Sequence, residues 1–422
     1  MTKFRLAWLA MLWWLYPIGN AHAETVTGKA GVADRELAVS VWYPDGISVI
    51  RGVLVFTGGQ GAGGSNDTRP AIEDEFHRRF AESLGFALLG NQFTGPYTDA
   101  ANGPGQALLD ALADVAAKSG HSELAHAPLL LHGFSNGGYF SYTFAQWAPQ
   151  RVIAFCLNKS GFARAPLTAA FLAVPGVFFW GGNEPGDNVP TVVRSLVREG
   201  RKQHALWAEL KEWGKGHADG EVERVSLPFF AEMVSARYPK GNKTPLTGEV
   251  PLVALDEAAG WLGDASDASI ERELPGISKF AAYGGDKTAA SWLPSEGIAN
   301  LWRGFVTKQP FALEAPGSGT SFDARETLQL RAAGLASGAR VSFLDGARQL
   351  ASALAADSGE AKAGWTPEWG GARGLVAVAK IKGQLTRTSR PAAIVLHGKP
   401  PPPPAAKKRS AARACLRGPG RC

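Results

Sequence analysis

The chain has 422 residues, with 45% hydrophobic and 19% charged residues, 51 Gly and 13 Trp, which is enough for a large core and more than one globular domain. Its formal charge of +6 is unevenly placed: Lys3 and Arg5 sit in an apolar N-terminal segment, seven basic residues (Lys399, Lys407, Lys408, Arg409, Arg413, Arg417, Arg421) sit in an acid-free tail, and the body between carries −3. A body without basic excess excludes an electrostatic nucleic-acid binder, and three cysteines, Cys156, Cys415 and Cys422, form neither a disulfide framework nor a zinc spacing.

Residues 1–23 have the parts of a cleaved export signal: Lys3 and Arg5, an apolar stretch from Leu6 to Ile18, and the small-residue site Ala21-His22-Ala23. The stretch falls short of the roughly 20 apolar residues a membrane span needs. The mature chain is therefore expected to begin near Glu24, to be secreted or periplasmic, and to keep no stable membrane anchor. From residue 37 to 238 strand and helix patterns alternate. Strands are predicted at Leu37–Trp42, Val53–Phe56, Phe86–Leu89, Pro128–Leu131, Val152–Leu157, Val177–Trp180 and Ala205–Leu210. Helices are predicted at Ile72–Leu84, Ala107–Lys118, Gly137–Trp147, Val189–Glu199 and Leu227–Arg237. Short apolar runs between amphipathic helices imply an α/β fold, a mostly parallel sheet covered on both faces, with its site at the carboxyl ends of the strands.

The alternation stops at residue 241. Residues 241–309, with A-G-W-L-G-D, A-S-W-L-P and L-W-R-G-F, read as an irregular, partly helical extension packed on the main domain. From 310 to 397 short alternating runs and a D-G turn predict a small all-β sandwich of immunoglobulin-like type. Residues 398–422, Pro-rich and basic, have no core-forming pattern and are expected to be disordered.

Residues 129–140, L-L-L-H-G-F-S-N-G-G-Y-F, contain G-x-S-x-G. The motif gains meaning from its place between a predicted strand and a predicted helix, where Gly133 and Gly137 permit the strained turn that exposes the Ser135 hydroxyl. A serine hydroxyl needs a base. Of eight histidines, His217, in the loop E-W-G-K-G-H-A-D-G after a strand, is placed best. An acid between the two in chain order comes from W-G-G-N-E-P-G-D-N-V-P, with Glu184 favoured and Asp187 as the alternative. Oxyanion donors are expected from the backbone of Asn136 and from Gly59 and Gln60 in the glycine loop after Val53–Phe56. That loop also fits G-x-G-x-x-G, but a dinucleotide site wants an acid at the end of the next strand, and Asn91 stands there. No Gly-Lys-Ser/Thr follows, so a P-loop is excluded as well.

On G-F-S-N-G-G, the glycine loop at 53–64, G-G-N-E-P and G-K-G-H, the chain resembles the secreted serine esterases of the α/β-hydrolase fold, and among them the polyhydroxyalkanoate depolymerase and feruloyl esterase type. The resemblance spans residues 50–220. It implies a catalytic domain over 24–240, a carboxylic ester substrate of polymeric or plant-derived kind, and Ser135, His217 and an acid acting without metal or organic cofactor. Where that family opens its oxyanion loop with His-Gly, this chain has Thr57-Gly58, and its usual Asp is replaced by Glu184. A non-catalytic binding protein on the same fold and a serine peptidase of the prolyl-oligopeptidase type are the competing expectations.

Overall fold

A computed structural model of the chain describes residues 24–32, 35–60, 66–161, 166–240, 247–272, 274–381 and 384–399. Residues 1–23, read above as an export signal, the basic tail from residue 400, Cys415 and Cys422 lie outside the described residues. The main sheet consists of β1 (Glu24–Val32), β2 (Arg35–Tyr43), β3 (Val53–Thr57), β4 (Ala87–Phe93), β5 (Leu129–Phe134), β6 (Val152–Asn158), β7 (Gly176–Gly181) and β8 (Trp207–Glu212), with a two-residue strand, Asn66–Asp67, added against β4. Its order is β1-β2-β4-β3-β5-β6-β7-β8. β1 and β2 form an antiparallel hairpin, β2 is antiparallel to β4, and all later neighbours run parallel. This order, with one antiparallel hairpin at one edge, is the α/β-hydrolase fold.

The helices follow from their ends. In α1 (Glu75–Leu84) the Asp74 side chain accepts from the His77 N–H at 2.9 Å, and Gly85, at φ 70°, ends it. α2 (Pro104–Ser119) opens on proline and stops before Gly120, which is the usual asymmetry of helix ends. α3 (Asn136–Trp147), α4 (Asn188–Lys202) and α5 (Glu223–Arg237) complete the set. α2, α3 and α4 cover one face of the sheet in a core that includes Leu108, Phe140 and Val193, and α1 and α5 cover the other with Phe80, Phe229 and Phe230. β1 lies outside the predicted strands because E-T-V-T-G-K-A-G-V is short of large apolar residues. Its Gly28 shows why: a Cβ there would come 2.7 Å from Val115 Cγ2 and 2.8 Å from the Ala111 carbonyl of α2.

Residues 247–309 are more regular than their composition implies. Trp261–Gly263 lies between Ile277–Lys279 and Ser291–Leu293 in a three-stranded antiparallel sheet, followed by α6 (Glu296–Val306), which is capped by the Ser295 hydroxyl and buried from Gly297 to Val306. Arg201 in α4 fastens this segment to the main domain, donating to the carbonyls of Ala290 and Lys287 and pairing with Glu257 at 2.8 Å.

Beyond it, a three-stranded and a six-stranded sheet pack face to face as an immunoglobulin-like β domain. Leu328–Ala333 alternates buried and exposed residues. The D-G turn joins Arg340–Asp345 to Arg348–Leu354, with Gly346 at φ 59°. One sheet of this module also rests on α5 and α6: Val376 and Val395 belong to the same cluster as Phe230 and Trp302. Among the described residues no helix is long and apolar enough to cross a membrane.

Candidate active site

β5 enters the site as L-L-L-H-G-F, buried through Gly133, and breaks at Ser135, whose φ of 52° and ψ of −120° place it in a sparsely populated region. Holding a non-glycine residue there costs on the order of 1–3 kcal/mol. The surrounding glycines make the turn feasible. A Cβ on Gly133 would lie 2.0 Å from the Gly137 carbonyl oxygen, one on Gly137 2.0 Å from the Thr57 carbonyl oxygen, and one on Gly138 3.1 Å from the Gly133 carbonyl oxygen. The elbow is closed by the Ser135 N–H, which donates to the Asn158 carbonyl of β6 at 2.8 Å.

Three chain-distant groups meet at this elbow. His217 Nε2 lies 3.0 Å from Ser135 Oγ, and its Nδ1 lies 3.0 Å from Glu184 Oε2. The Glu184 side chain is only 2% exposed, and its other oxygen accepts from the Gly181 N–H at 3.4 Å. Glu184 reaches the imidazole because the turn after β7 is pinned to the His217 loop: the Gly182 N–H donates to the Glu212 carbonyl and the Asn183 N–H to the Lys215 carbonyl, both at 2.8 Å. Asp187, the alternative acid, is exposed and occupies the N-cap of α4 without a side-chain capping bond. The Phe134 ring stands 5.2 Å from that of His217.

The expected oxyanion donors are adjacent. Asn136 is the first residue of α3, where a backbone N–H has no intrahelical partner. Gly59 abuts Ser135, since a Cβ on it would come 2.9 Å from Ser135 Cβ. The Gln60 side chain accepts from the Asn136 amide at 2.7 Å. Residues 61–65, the rest of the glycine loop, lie outside the described residues. What holds Thr57-Gly58 in place is not marked in the sequence. The Tyr97 hydroxyl donates to the Gly58 carbonyl at 2.8 Å, and the Asn91 amide donates to Thr57 Oγ1 at 2.8 Å while accepting from the Asn66 amide at 3.1 Å. Asn66, Asn91 and Tyr97 are scattered in sequence, and the pairing of β4 with β3 on one stretch and with Asn66–Asp67 on another brings the two asparagines beside Thr57.

Other ionisable groups are set apart by burial. His132, two residues before Phe134, points away from the elbow, its Nε2 3.2 Å from Ser226 Oγ. Burial pushes its imidazole down from the usual 6.5 to about 4, so it is neutral. An unfolded chain binds this proton more readily than the folded one, and stability is lost as pH falls from about 6.5 to about 4. His132→Gln is expected to remove roughly 3 kcal/mol of that acid sensitivity, read from urea midpoints at neutral and acid pH; equal losses in both proteins would refute the assignment. Burial pushes the Cys156 thiol well up, leaving it an inert part of β6. Among the described residues no group of three or more His, Cys, Asp or Glu side chains could hold a metal ion.

No family model and no curated protein sequence matches the chain. Among solved structures, an esterase from Pyrobaculum calidifontis is 14% identical over 50% of this chain and 85% of its own, with a TM-score of 0.36. A peroxisomal α/β-hydrolase from Saccharomyces cerevisiae is 11% identical over 54% of this chain and 94% of its own, also at 0.36. Fibronectin(III)-like modules from Clostridium thermocellum are 22% identical over 20% of this chain and 93% of their own, at 0.18. Likenesses this distant name neither a substrate nor a reaction for this chain.

Proposed function

We propose that the protein is an exported serine hydrolase that cleaves carboxylic esters through an acyl-enzyme intermediate. The observation that carries this reading is the unbroken line Glu184 Oε2, His217 Nδ1, His217 Nε2, Ser135 Oγ, with both gaps at 3.0 Å, ending on a strained elbow at the carboxyl edge of the sheet. Ser135 Oγ attacks the ester carbonyl carbon as its proton passes to His217 Nε2. The Nδ1–H donates to Glu184, which fixes the tautomer and stabilises the imidazolium. The tetrahedral oxyanion takes hydrogen bonds from the backbone of Asn136 and of the Gly59-Gln60 segment. Collapse breaks the bond to the alcohol, which leaves with the proton from Nε2. Water then repeats the sequence on the acyl-serine, releasing the acid. No step requires a metal or organic cofactor.

The substrate class rests on the elbow and loop motifs: esters of hydroxyalkanoate polymers or of plant phenolic acids. A fluorophosphonate probe is expected to form a stoichiometric adduct on Ser135 of the folded protein and none on Ser135→Ala. Folded protein without the adduct would end the enzyme reading in favour of a binding protein. A panel of p-nitrophenyl esters of graded length, beside feruloyl and hydroxybutyrate esters, then ranks the acyl group.

A further inference from the structure

His217, the base of this mechanism, sits on irregular backbone. Residues 213–222 connect β8 to α5 without a strand or helix, and His217 through Gly220 are exposed. Fixing one residue of such a segment costs about 1–2 kcal/mol, and a misplacement of about 1 Å at a reacting group costs on the order of 100-fold in rate. Hydrogen bonds beyond the triad must therefore hold this loop.

Two carboxylates, Glu212 and Glu221, carry most of that load. Lys159, at the end of β6, is fully buried, and its Nζ donates to Glu212 Oε2 at 2.7 Å, to Asn158 Oδ1 at 3.3 Å and to the Asp219 carbonyl at 3.4 Å. The other Glu212 oxygen accepts from the Glu221 N–H at 2.7 Å. The Asn158 amide donates to the same Asp219 carbonyl at 2.9 Å, and its own carbonyl receives the Ser135 N–H. One residue thus ties the nucleophile's elbow to the histidine's loop. The loop runs so close over Glu212 that a Cβ on Gly220 would lie 2.1 Å from Oε2.

The second carboxylate is gripped from two sides, by Arg224 of α5 and by an arginine from outside the domain. Glu221 Oε2 lies 2.5 Å from Arg390 of the β module, and Oε1 lies 2.6 Å from Arg224, which also donates to the Pro391 carbonyl at 2.8 Å. Burial alone would raise the Glu221 carboxyl; the two guanidiniums more than offset it and hold it below the usual range. At the start of the loop, Trp213 Nε1 donates to the Val306 carbonyl of α6 at 2.7 Å. A buried ion pair such as Lys159–Glu212 loses in desolvation about what it gains in attraction, so stability does not account for it. Direction does.

The geometry points to a positioning role for Lys159, Glu212 and Arg390: they set where His217 stands relative to Ser135, and through Arg390 the β module is a working part of the catalytic apparatus. This rests on the reading of Ser135, His217 and Glu184 as the reacting triad.

The test uses the full chain with Arg390→Gln, Arg390→Lys and the double variant Lys159→Met/Glu212→Leu, which removes both buried charges and leaves neither alone. With a p-nitrophenyl ester, Arg390→Gln is expected to lower kcat about 10-fold with KM unchanged, Arg390→Lys to recover at least about half the wild-type value, and the double variant to lower kcat about 100-fold. A merely structural role would not move the His217 imidazole. Its titration by NMR, in a Ser135→Ala background that needs no turnover, is expected to shift in Arg390→Gln and return in Arg390→Lys. Wild-type kcat and an unmoved His217 titration in Arg390→Gln would overturn the proposal, whether or not the double variant folds. If wild type hydrolyses no ester and takes up no fluorophosphonate, the triad reading fails separately, and the His217 titration still decides whether Arg390 positions the ring.

Discussion

Glu184→Gln is expected to lower kcat by about 10³–10⁴-fold, while Asp187→Asn stays within about twofold of wild type. Both changes remove one charge from the same eleven-residue turn, so charge in the neighbourhood cannot separate them; contact can. The Glu184 carboxylate is almost wholly enclosed and lies 3.0 Å from His217 Nδ1. A glutamine there can present its NH₂ to Nδ1, which favours the tautomer with the proton on Nε2, unable to accept from Ser135, and it gives no charge to balance the imidazolium. Asp187 faces solvent at the start of α4 and makes no side-chain capping bond. The pair is read by steady-state kinetics on one ester, with near-UV circular dichroism as the check on folding. Full activity in Glu184→Gln with collapse in Asp187→Asn would move the acid to Asp187 and imply that the turn refolds around it.

The second large effect is on stability. Gly137→Ala is expected to destabilise the protein by at least about 3 kcal/mol. The added methyl would meet the Thr57 carbonyl oxygen at 2.0 Å, the Thr57 carbonyl carbon at 2.5 Å and the Gly58 oxygen at 2.6 Å, all backbone atoms at the end of β3. No side chain can rotate away to make room, so either α3 or the Thr57-Gly58 segment must move. Gly186→Ala is the control. That glycine has φ 85° but nothing within 4 Å, so only the left-handed backbone is penalised, by about 1–2 kcal/mol. Urea midpoints separate the two, and a Gly137→Ala protein as stable as Gly186→Ala would show that the elbow is looser than its contacts imply.

Much of this architecture is legible in the sequence where the signal is local. The run L-L-L-H-G-F-S-N-G-G contains its own strand, turn and helix start, while G-G-N-E-P and G-K-G-H are glycine-marked turns that follow the apolar runs of β7 and β8. Each strand end can be read alone, and the parallel sheet then aligns them. β1 was not legible, because a glycine-rich edge strand owes its place to α2 passing over Gly28 and has little apolar alternation of its own. The extension's small sheet was hidden for a similar reason: each of its strands has three residues, too few for a period to show. The supporting residues of the site were illegible on other grounds. Asn91 counts in the sequence only as the absence of an acid, yet in the structure it holds Thr57. Lys159 looks like one more surface lysine until Glu212, far along the chain and at the end of another strand, meets it in the interior. Such roles come from pairs across the sheet and have no local pattern to announce them.

The cluster in which Val376 and Val395 pack with Phe230 and Trp302 has a consequence for how the molecule comes apart. Peeling the β module from α5 and α6 would expose this shared apolar cluster to water, so the two halves are expected to melt in one cooperative transition. The boundary near residue 310 separates two patterns of sequence, and a single calorimetric transition is the expected sign that it does not separate two independent folding units.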